Sequence, residues 1–172
     1  MTETEFRLKY SELIEYYQYI EERLKYICAF LLTDEEKGWL DRLNDIDSDP
    51  FGMLVTNIQS LQTQKQVAVL SQKDIDALNE MRITRNYWVH QCFGGLWNSI
   101  IFKKDELKDP EHGKRIIKDL SKAIEWDRKL TEKCGSIETK QLIDNKYSLI
   151  LFNIVFMIYI LLQLNFIRQV LD

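Results

Sequence analysis

Residues 5–32 read EFRLKYSELIEYYQYIEERLKYICAFLL, and this stretch decides the class of fold. Apolar and aromatic residues recur in it every three or four positions, with Glu, Lys and Arg between them. Because about 3.6 residues complete a helical turn, these residues share one face of an amphipathic α-helix. They are Phe6, Tyr10, Leu13, Ile14, Tyr17, Ile20, Leu24, Ile27 and Leu31. We therefore expect a long first helix that packs against other helices.

The composition of the whole chain is typical of an all-α protein. Its 172 residues include only six glycines and two prolines, and residues that favour helix over strand are abundant. The length suits one domain with its own core, and no repeat or linker-like segment divides it. We predict a single domain over residues 1–172, an antiparallel, up-and-down bundle of about five to six helices.

Capping residues predict where the next helices begin and end. Thr33-Asp34-Glu35-Glu36 indicates the cap and first turn of a short helix through Leu43. A third helix is expected over residues 51–69, and Ser71-Gln72-Lys73-Asp74 has the form of a capping box that opens a fourth. The fourth helix should end at Gly94-Gly95, because glycine readily takes the backbone angles of a helix end.

Two further helices are expected in the last part of the chain. Pro110 should open the first, which runs to about Cys134 and is stopped by Gly135. Its predicted inward side chains are Ile116, Ile117, Leu120, Ile124 and Leu130. The last helix should cover about residues 137–170, and residues 148–162 within it are apolar on nearly all sides.

The very apolar segment at residues 147–167 allows three interpretations. Asn153 and Gln163 interrupt it and leave it short of the roughly 20 apolar residues that span a bilayer, which favours a buried or dimer-interface helix. Lys146 and Arg168 lie near its two ends, as in a membrane span. Membrane attachment is therefore the less favoured alternative.

The charge balance limits the partners of the chain. Its formal net charge is −4 and its pI about 5.3, so no global positive field exists to hold a long nucleic acid. This disfavours generic DNA binding. A local basic site could still act on a flexible RNA strand, particularly where two subunits combine their arginines across a symmetry axis.

The cysteines and the N-terminal residues indicate a cytoplasmic protein. Cys28, Cys92 and Cys134 are odd in number, widely spaced and surrounded by helical sequence, which is typical of free thiols in a reducing compartment. Residues 1–5 are polar and acidic, without the basic and apolar regions of a secretory signal.

The segment Arg85-Asn86-Tyr87-Trp88-Val89-His90 carries the candidate chemistry. On a helix Arg82, Asn86 and His90 form one column, and Arg85 lies one ridge away. Another face of the same helix is apolar and anchors it; that face holds Ile75, Leu78, Met81, Trp88 and Val89. Imidazole exchanges protons near neutral pH and guanidinium recognises phosphate, so the cluster indicates chemistry on a phosphodiester.

Arg85-Asn86-x-x-x-His90 resembles the R-x(4–6)-H motif of the HEPN superfamily, in which asparagine often follows the arginine within an all-helical bundle. The resemblance covers residues 51–134. It implies a metal-independent endoribonuclease that works as a homodimer, with the motifs of two subunits facing each other across a cleft. Many such proteins are toxins of toxin–antitoxin pairs or antiviral effectors, so a cognate antitoxin is an implied partner.

The resemblance also implies a role for each motif residue. His90 would act as general base or acid around the ribose 2′-hydroxyl, Arg85 would stabilise the charged phosphorane, and Asn86 would orient the phosphate or His90. Arg82 would add an RNA-binding cation. By the same resemblance, the substrate would be RNA, the product would carry a 2′,3′-cyclic phosphate, and no cofactor would be required. A related subgroup has a tyrosine that a partner nucleotidylates, but this chain has Cys92 at that position.

Other functions leave different signals in a sequence. His90 and His112 lack a second His or Cys at ligand spacing, which argues against a metal site, and no glycine-rich phosphate loop occurs. The competing interpretation is a non-catalytic helical module for protein interaction, possibly membrane-associated through its C-terminal helix. The four tryptophans would then serve packing and interface anchoring; they are Trp39, Trp88, Trp97 and Trp126.

Overall fold

The computed structural model describes residues 1–34, 36–91, 102–103, 106–107 and 110–137. This part is a helical bundle, as the sequence predicts. Its helices are α1 (Glu3–Leu32), α2 (Trp39–Asp45), α3 (Phe51–Lys65), α4 (Gln72–Asn86) and α5 (residues 110–137), and a π-helix, Tyr87–Gln91, directly continues α4. A small antiparallel ribbon pairs β1 (Phe102–Lys103) with β2 (Glu106–Leu107).

The chain divides into two compact units, Met1–Cys134 and Gly135–Asp172. Residues 135–137 of the second unit are described, and they are helical. The helix predicted over residues 137–170 lies, beyond its first residue, outside the described part. Within the described residues, no helix combines the length and the apolar character that crossing a bilayer requires. A single domain over residues 1–172 stays a prediction.

The apolar face of α1 forms the centre of the core. Seven of the nine residues predicted to share this face are buried: Phe6, Leu13, Tyr17, Ile20, Leu24, Ile27 and Leu31. Further buried apolar residues lie on α3 and α4, namely Leu54, Val55, Ile58, Leu78 and Met81, and on α5, namely Ile116, Leu120, Ala123 and Leu130. Each fully buried Leu, Ile or Phe side chain stabilises the fold by roughly 1.5–3 kcal/mol.

A capping box starts α4, as predicted, and also ties it to α5. The backbone N–H of Asp74 donates to the Ser71 hydroxyl, and the backbone N–H of Ser71 donates to the Asp74 carboxylate at 3.0 Å. The Lys129 ammonium of α5 forms an ion pair with the same carboxylate. Burial alone raises the pKa of Asp74, but the hydrogen bonds from Lys129 and Ser71 outweigh it and hold that pKa below its ordinary value.

This arrangement predicts an acid-dependent contribution of Asp74 to stability. Asp74→Asn should cost about 1 kcal/mol near neutral pH, because the charged cap and ion pair are lost. A depressed pKa means that the carboxylate stabilises the fold above its unfolded pKa of about 3.9 and ceases to do so as the pH falls through the folded value. Urea unfolding of both proteins at successive pH values should show the difference shrinking below about pH 4.

The matched control for this prediction is Asp76→Asn, which alters an exposed carboxylate on the same helix. Its effect should stay within about 0.5 kcal/mol at every pH. A constant difference between wild type and Asp74→Asn down to strong acid would contradict the assigned role.

Two predicted helix boundaries are wrong for local reasons. Thr33 does not cap α2 but closes α1, since its hydroxyl donates to the Ala29 carbonyl at 3.0 Å. α3 ends at Lys65, short of the predicted Val69, because Gln66 takes a left-handed conformation with φ of 54°. The Gln62 side chain stabilises this end by accepting the backbone N–H groups of Val69 and Leu70, at 2.9 and 2.5 Å.

Three expectations for the region around α5 also need correction. Ile117 and Ile124 are 47% and 40% exposed instead of inward, because the buried stripe of α5 runs along a neighbouring ridge. The helix does not stop at Gly135, where a Cβ would meet no atom within 4 Å and the backbone stays helical. The ribbon of β1 and β2 adds two short strands to a chain that the sequence predicts to be all-α.

Candidate functional site

The helix changes its winding within the candidate motif. It is α-helical to Asn86 and π-helical over Tyr87–Gln91, so the prediction of one α-helix through the motif is wrong at this point. Residues five apart diverge on an α-helix, but the i→i+5 hydrogen bonds of a π-helix return them to nearly the same face. Arg85 and His90 are five apart. Because only the residues from Tyr87 onward are π-helical, the wider winding reduces, but does not remove, the angle between Arg85 and His90 about the helix axis.

The start of α3 and the end of α4 border an open cleft of about 600 Å³. From α3 and the residue before it, the cleft is lined by Pro50, Phe51, Gly52, Met53, Thr56 and Asn57. From α4 it is lined by Arg82, Arg85 and Asn86, three of the four residues that the sequence singles out. His90 is not among the described residues that line it. The charged groups in this described lining are guanidiniums alone.

Arg82 lies across the first turn of α3. A Cβ on Gly52 would lie 2.8 Å from the Arg82 Cδ and 3.2 Å from its Nη1, so the missing side chain provides the space for this arginine. Arg82 is exposed, and no described carboxylate forms an ion pair with it. Its charge is therefore available to a bound anion.

Arg85 is held in place by α1. Its Nη2 donates to the Glu21 Oε2 at 2.9 Å, and the two side chains are 25% and 19% exposed. The carboxylate fixes the direction of the guanidinium and offsets part of its charge. Because a guanidinium carries five N–H groups, donors remain for a second acceptor.

His90 lies on the π-helix, one turn beyond Asn86, and is exposed. No described residue holds its imidazole by a hydrogen bond or an ion pair. The ring is thus accessible to a substrate or to a second subunit.

Trp88 anchors the π-helix in the core. It is fully buried, its ring centroid lies 6.2 Å from that of Phe6, and its backbone oxygen accepts the Tyr10 hydroxyl at 3.3 Å. The indole Nε1 donates to the Asp119 Oδ2 of α5 at 2.8 Å. The burial of Trp88 agrees with its predicted packing role and fixes the segment that carries His90.

Tyr87 joins the π-helix to the start of α5. Its hydroxyl lies 3.0 Å from the His112 Nε2, and the Arg115 guanidinium lies 3.6 Å from the centre of its ring. His112 is therefore engaged with Tyr87, and Arg115 stacks on the ring. His112, the second histidine of the chain, therefore helps to hold the motif segment in place.

Tyr17 of α1 is buried and lies close enough to Asp119, Arg115 and Arg85 for their charges to affect its pKa. Burial, together with the Asp119 carboxylate, raises the pKa of Tyr17 above its ordinary value, and Arg115 and Arg85 oppose this shift. The Tyr17 hydroxyl thus stays protonated at neutral pH.

The cleft contains Arg82, Arg85 and Asn86, which the sequence places on neighbouring turns of one helix, but sequence reasoning misses the residues that support them. Glu21 lies 64 positions before Arg85, and Asp119 lies 31 positions after Trp88. Neither pair has a local spacing signal, since both depend on how the helices pack. Among the described residues, no group of three or more His, Cys, Asp or Glu is placed to hold a metal ion.

Comparison of the chain with protein-family models, with curated proteins and with solved structures finds no match. Its function must therefore be inferred from its own residues and their geometry.

Proposed function

We propose that the protein is an HEPN-like, metal-independent endoribonuclease in which Arg85, Asn86 and His90 form the catalytic site and Arg82 binds RNA. The observation that carries the proposal is the cleft with Arg82, Arg85 and Asn86 in its wall, together with the exposed imidazole of His90 four residues after Asn86 on the π-helix. Two guanidiniums attract a phosphate, and the imidazole can move a proton.

The reaction in this proposal is an internal transesterification of RNA. His90 removes the proton of the ribose 2′-hydroxyl, the 2′-oxygen attacks phosphorus, and the bond from phosphorus to the 5′-oxygen breaks. The leaving 5′-oxygen takes up a proton, so the products are a 2′,3′-cyclic phosphate and a 5′-hydroxyl. Arg85 stabilises the additional negative charge of the phosphorane, and Asn86 orients the phosphate or His90.

The proposal includes a homodimer, because the reaction uses one base and one acid. The sequence has two histidines, and His112 is engaged with Tyr87, which leaves His90 as the accessible imidazole. Two subunits that face each other supply two such rings, one for each proton transfer. The dimer also doubles the local arginines in a chain whose net charge is −4.

We further propose that the protein is a toxin or an antiviral-defence effector in the cytoplasm. Its substrate is RNA, and its proposed partner is a cognate antitoxin. The proposal also includes the antiparallel, HEPN-like arrangement of the bundle. The motif spacing and the helical setting support this proposal.

The test is an RNA cleavage assay with the purified full chain in the presence of a metal chelator. Cleavage should persist under these conditions and give 2′,3′-cyclic phosphate ends. An oligonucleotide with a 2′-deoxyribose at the cut position should resist cleavage there, because the attacking oxygen is missing. Products with 3′-hydroxyl ends, or activity that requires an added metal, would disprove the proposed chemistry.

The Arg85–Glu21 pair favours a second candidate, a non-catalytic module for protein interaction. Here the pair would only join α4 to α1. Met53 and Ile83 are 51% and 66% exposed, so α3 and α4 also offer apolar contact points to a partner. Such a module could, as an alternative, be membrane-associated through its C-terminal helix.

Glu21→Gln separates the two candidates. For a ribonuclease, removal of the carboxylate should strengthen the binding of uncleavable RNA several-fold, because Arg85 loses its competing anion, and should lower kcat, because the guanidinium is less well oriented. Affinity comes from titration with a 2′-O-methyl RNA, and kcat from the cleavage assay. For an interaction module, Glu21→Gln and Arg85→Gln should change only stability, by similar amounts.

A further inference from the structure

We propose that the cleft between α3 and α4 holds one unpaired nucleotide of a single-stranded RNA, preferably adenosine, beside the bond that is cut. This inference rests on the proposed ribonuclease function and defines its substrate class. The volume of about 600 Å³ lies within the range of roughly 300–1,000 Å³ typical of small-molecule sites. A single unstacked nucleotide can enter such a cleft, whereas a base within a duplex is held in its stack.

The charges at the cleft place the phosphate. Arg82 is exposed and unpaired by any described carboxylate, while Arg85 already binds Glu21 at 2.9 Å. We therefore assign two neighbouring phosphates of the RNA to the two arginines. The phosphate of the nucleotide in the cleft binds Arg82, and the phosphate of the bond that is cut binds Arg85. Gly52 supports this placement of the phosphates, since its missing side chain leaves the space in which Arg82 lies along α3.

The uncharged side chains of the cleft determine where the base binds. Asn86 is exposed and offers an amide donor and an amide acceptor on one plane. That pair matches the amino group and N7 of adenine, the bidentate contact that asparagine makes in nucleic-acid recognition. The second N–H of the Asn86 amide remains for the catalytic role proposed above. The Asn57 Nδ2 donates to the Asp49 carboxylate at 3.5 Å, which leaves its oxygen as a further acceptor. Met53, half exposed at the cleft, gives the base face an apolar contact.

The cleft and the motif share two residues, so the two proposed sites are adjacent. Arg85 and Asn86 line the cleft and also belong to the proposed catalytic set. A nucleotide in the cleft thus lies immediately beside the reacting phosphate. The protein should cut unpaired RNA next to an adenosine.

The experiment measures binding separately from cleavage. Fluorescent 2′-O-methyl oligonucleotides, which cannot be cut, are titrated against the full-length protein: oligo(A), oligo(C), oligo(U) and a duplex of the same length. Wild type should bind oligo(A) about tenfold more tightly than oligo(C) or oligo(U) and should bind the duplex most weakly. Asn57→Ala should reduce the preference for adenine.

The positive charge is tested with matched arginine variants. Arg82→Ala should weaken oligo(A) binding roughly tenfold and reduce the slope of log affinity against log salt by about 0.7. Gly52→Ala, which keeps every charge, should also weaken binding because its methyl group displaces Arg82. The control Arg128→Ala removes an exposed arginine outside the cleft and should leave binding unchanged.

The outcomes distinguish the cleft from the catalytic proposal. Equal losses for Arg82→Ala and Arg128→Ala, or equal affinity for single strand and duplex, would overturn the inference even if RNA is cleaved. Selective binding through Arg82 without any cleavage would support the nucleotide-binding site and disprove the ribonuclease function.

Discussion

His90→Ala should lower the rate of RNA cleavage by on the order of 10²- to 10⁴-fold, because a positioned proton-transfer group contributes that much. Arg85→Ala should cost about 10²- to 10³-fold, the usual effect of removing one donor to a charged transition state. His90 is exposed and held by no described residue, so its replacement should leave the thermal unfolding temperature almost unchanged. Initial rates on a defined RNA and a melting curve measure both quantities.

His112→Ala is the matched control for the loss of an imidazole. His112 lies within hydrogen-bonding distance of Tyr87 outside the proposed catalytic set, so cleavage should fall only a few-fold while stability falls modestly. Full activity in His90→Ala, with His112→Ala inactive, would show that the wrong histidine is assigned to catalysis.

The proposed homodimer leads to a further prediction for His90. Mixed dimers of wild type and His90→Ala contain one imidazole where the reaction uses two. An excess of the variant should therefore suppress wild-type activity after subunit exchange. Activity that simply follows the amount of wild type would argue for a site within one chain.

Trp88→Ala should produce the largest loss of stability in the described part of the chain. Trp88 is fully buried, packs against Phe6 and binds Asp119 through its indole nitrogen. Truncation of such a side chain costs about 3–5 kcal/mol, which corresponds to a fall in Tm of roughly 6–20 °C for a chain of this size. Urea unfolding followed by circular dichroism gives the free energy directly.

Trp88→Phe separates packing from hydrogen bonding at this position. It keeps an aromatic ring but leaves the Asp119 carboxylate without the indole donor, a loss of about 1–3 kcal/mol. Arg115, whose Nε lies 3.6 Å from that carboxylate, limits the loss. The exposed Ile83 provides the control, and Ile83→Ala should change stability by less than about 0.5 kcal/mol. Equal losses for Trp88→Ala and Ile83→Ala would contradict the anchoring role.

Local patterns predicted the parts of the fold that depend on local physics. The spacing of Phe6, Leu13 and Ile20 is enough to place them on one buried face, because helical geometry alone brings them together. The same holds for Ser71 and Asp74, whose reciprocal hydrogen bonds need only the first turn of a helix. Interactions of this kind can be read from a few neighbouring residues.

Features that depend on packing between helices were not predictable from the sequence. The Glu21 partner of Arg85 requires the placement of α4 against α1, and nothing near either residue indicates the other. The end of α3 shows the same limit on a smaller scale. A favourable helical sequence continues past Lys65, but the Gln62 side chain stabilises a turn by binding the backbone of the residues that follow.

The π-helix over Tyr87–Gln91 affects which separations in sequence between Arg85 and His90 the motif can tolerate. In a regular α-helix, side chains three or four positions apart lie on one face, whereas those five apart do not. A wider turn accommodates one additional residue, so a separation of five can serve the same purpose. Deletion of one residue between Asn86 and His90 would shorten the separation to four, the α-helical spacing, and allow regular winding. A variable gap between a fixed arginine and a fixed histidine is thus compatible with constant chemistry, because the helix can compensate by changing its pitch.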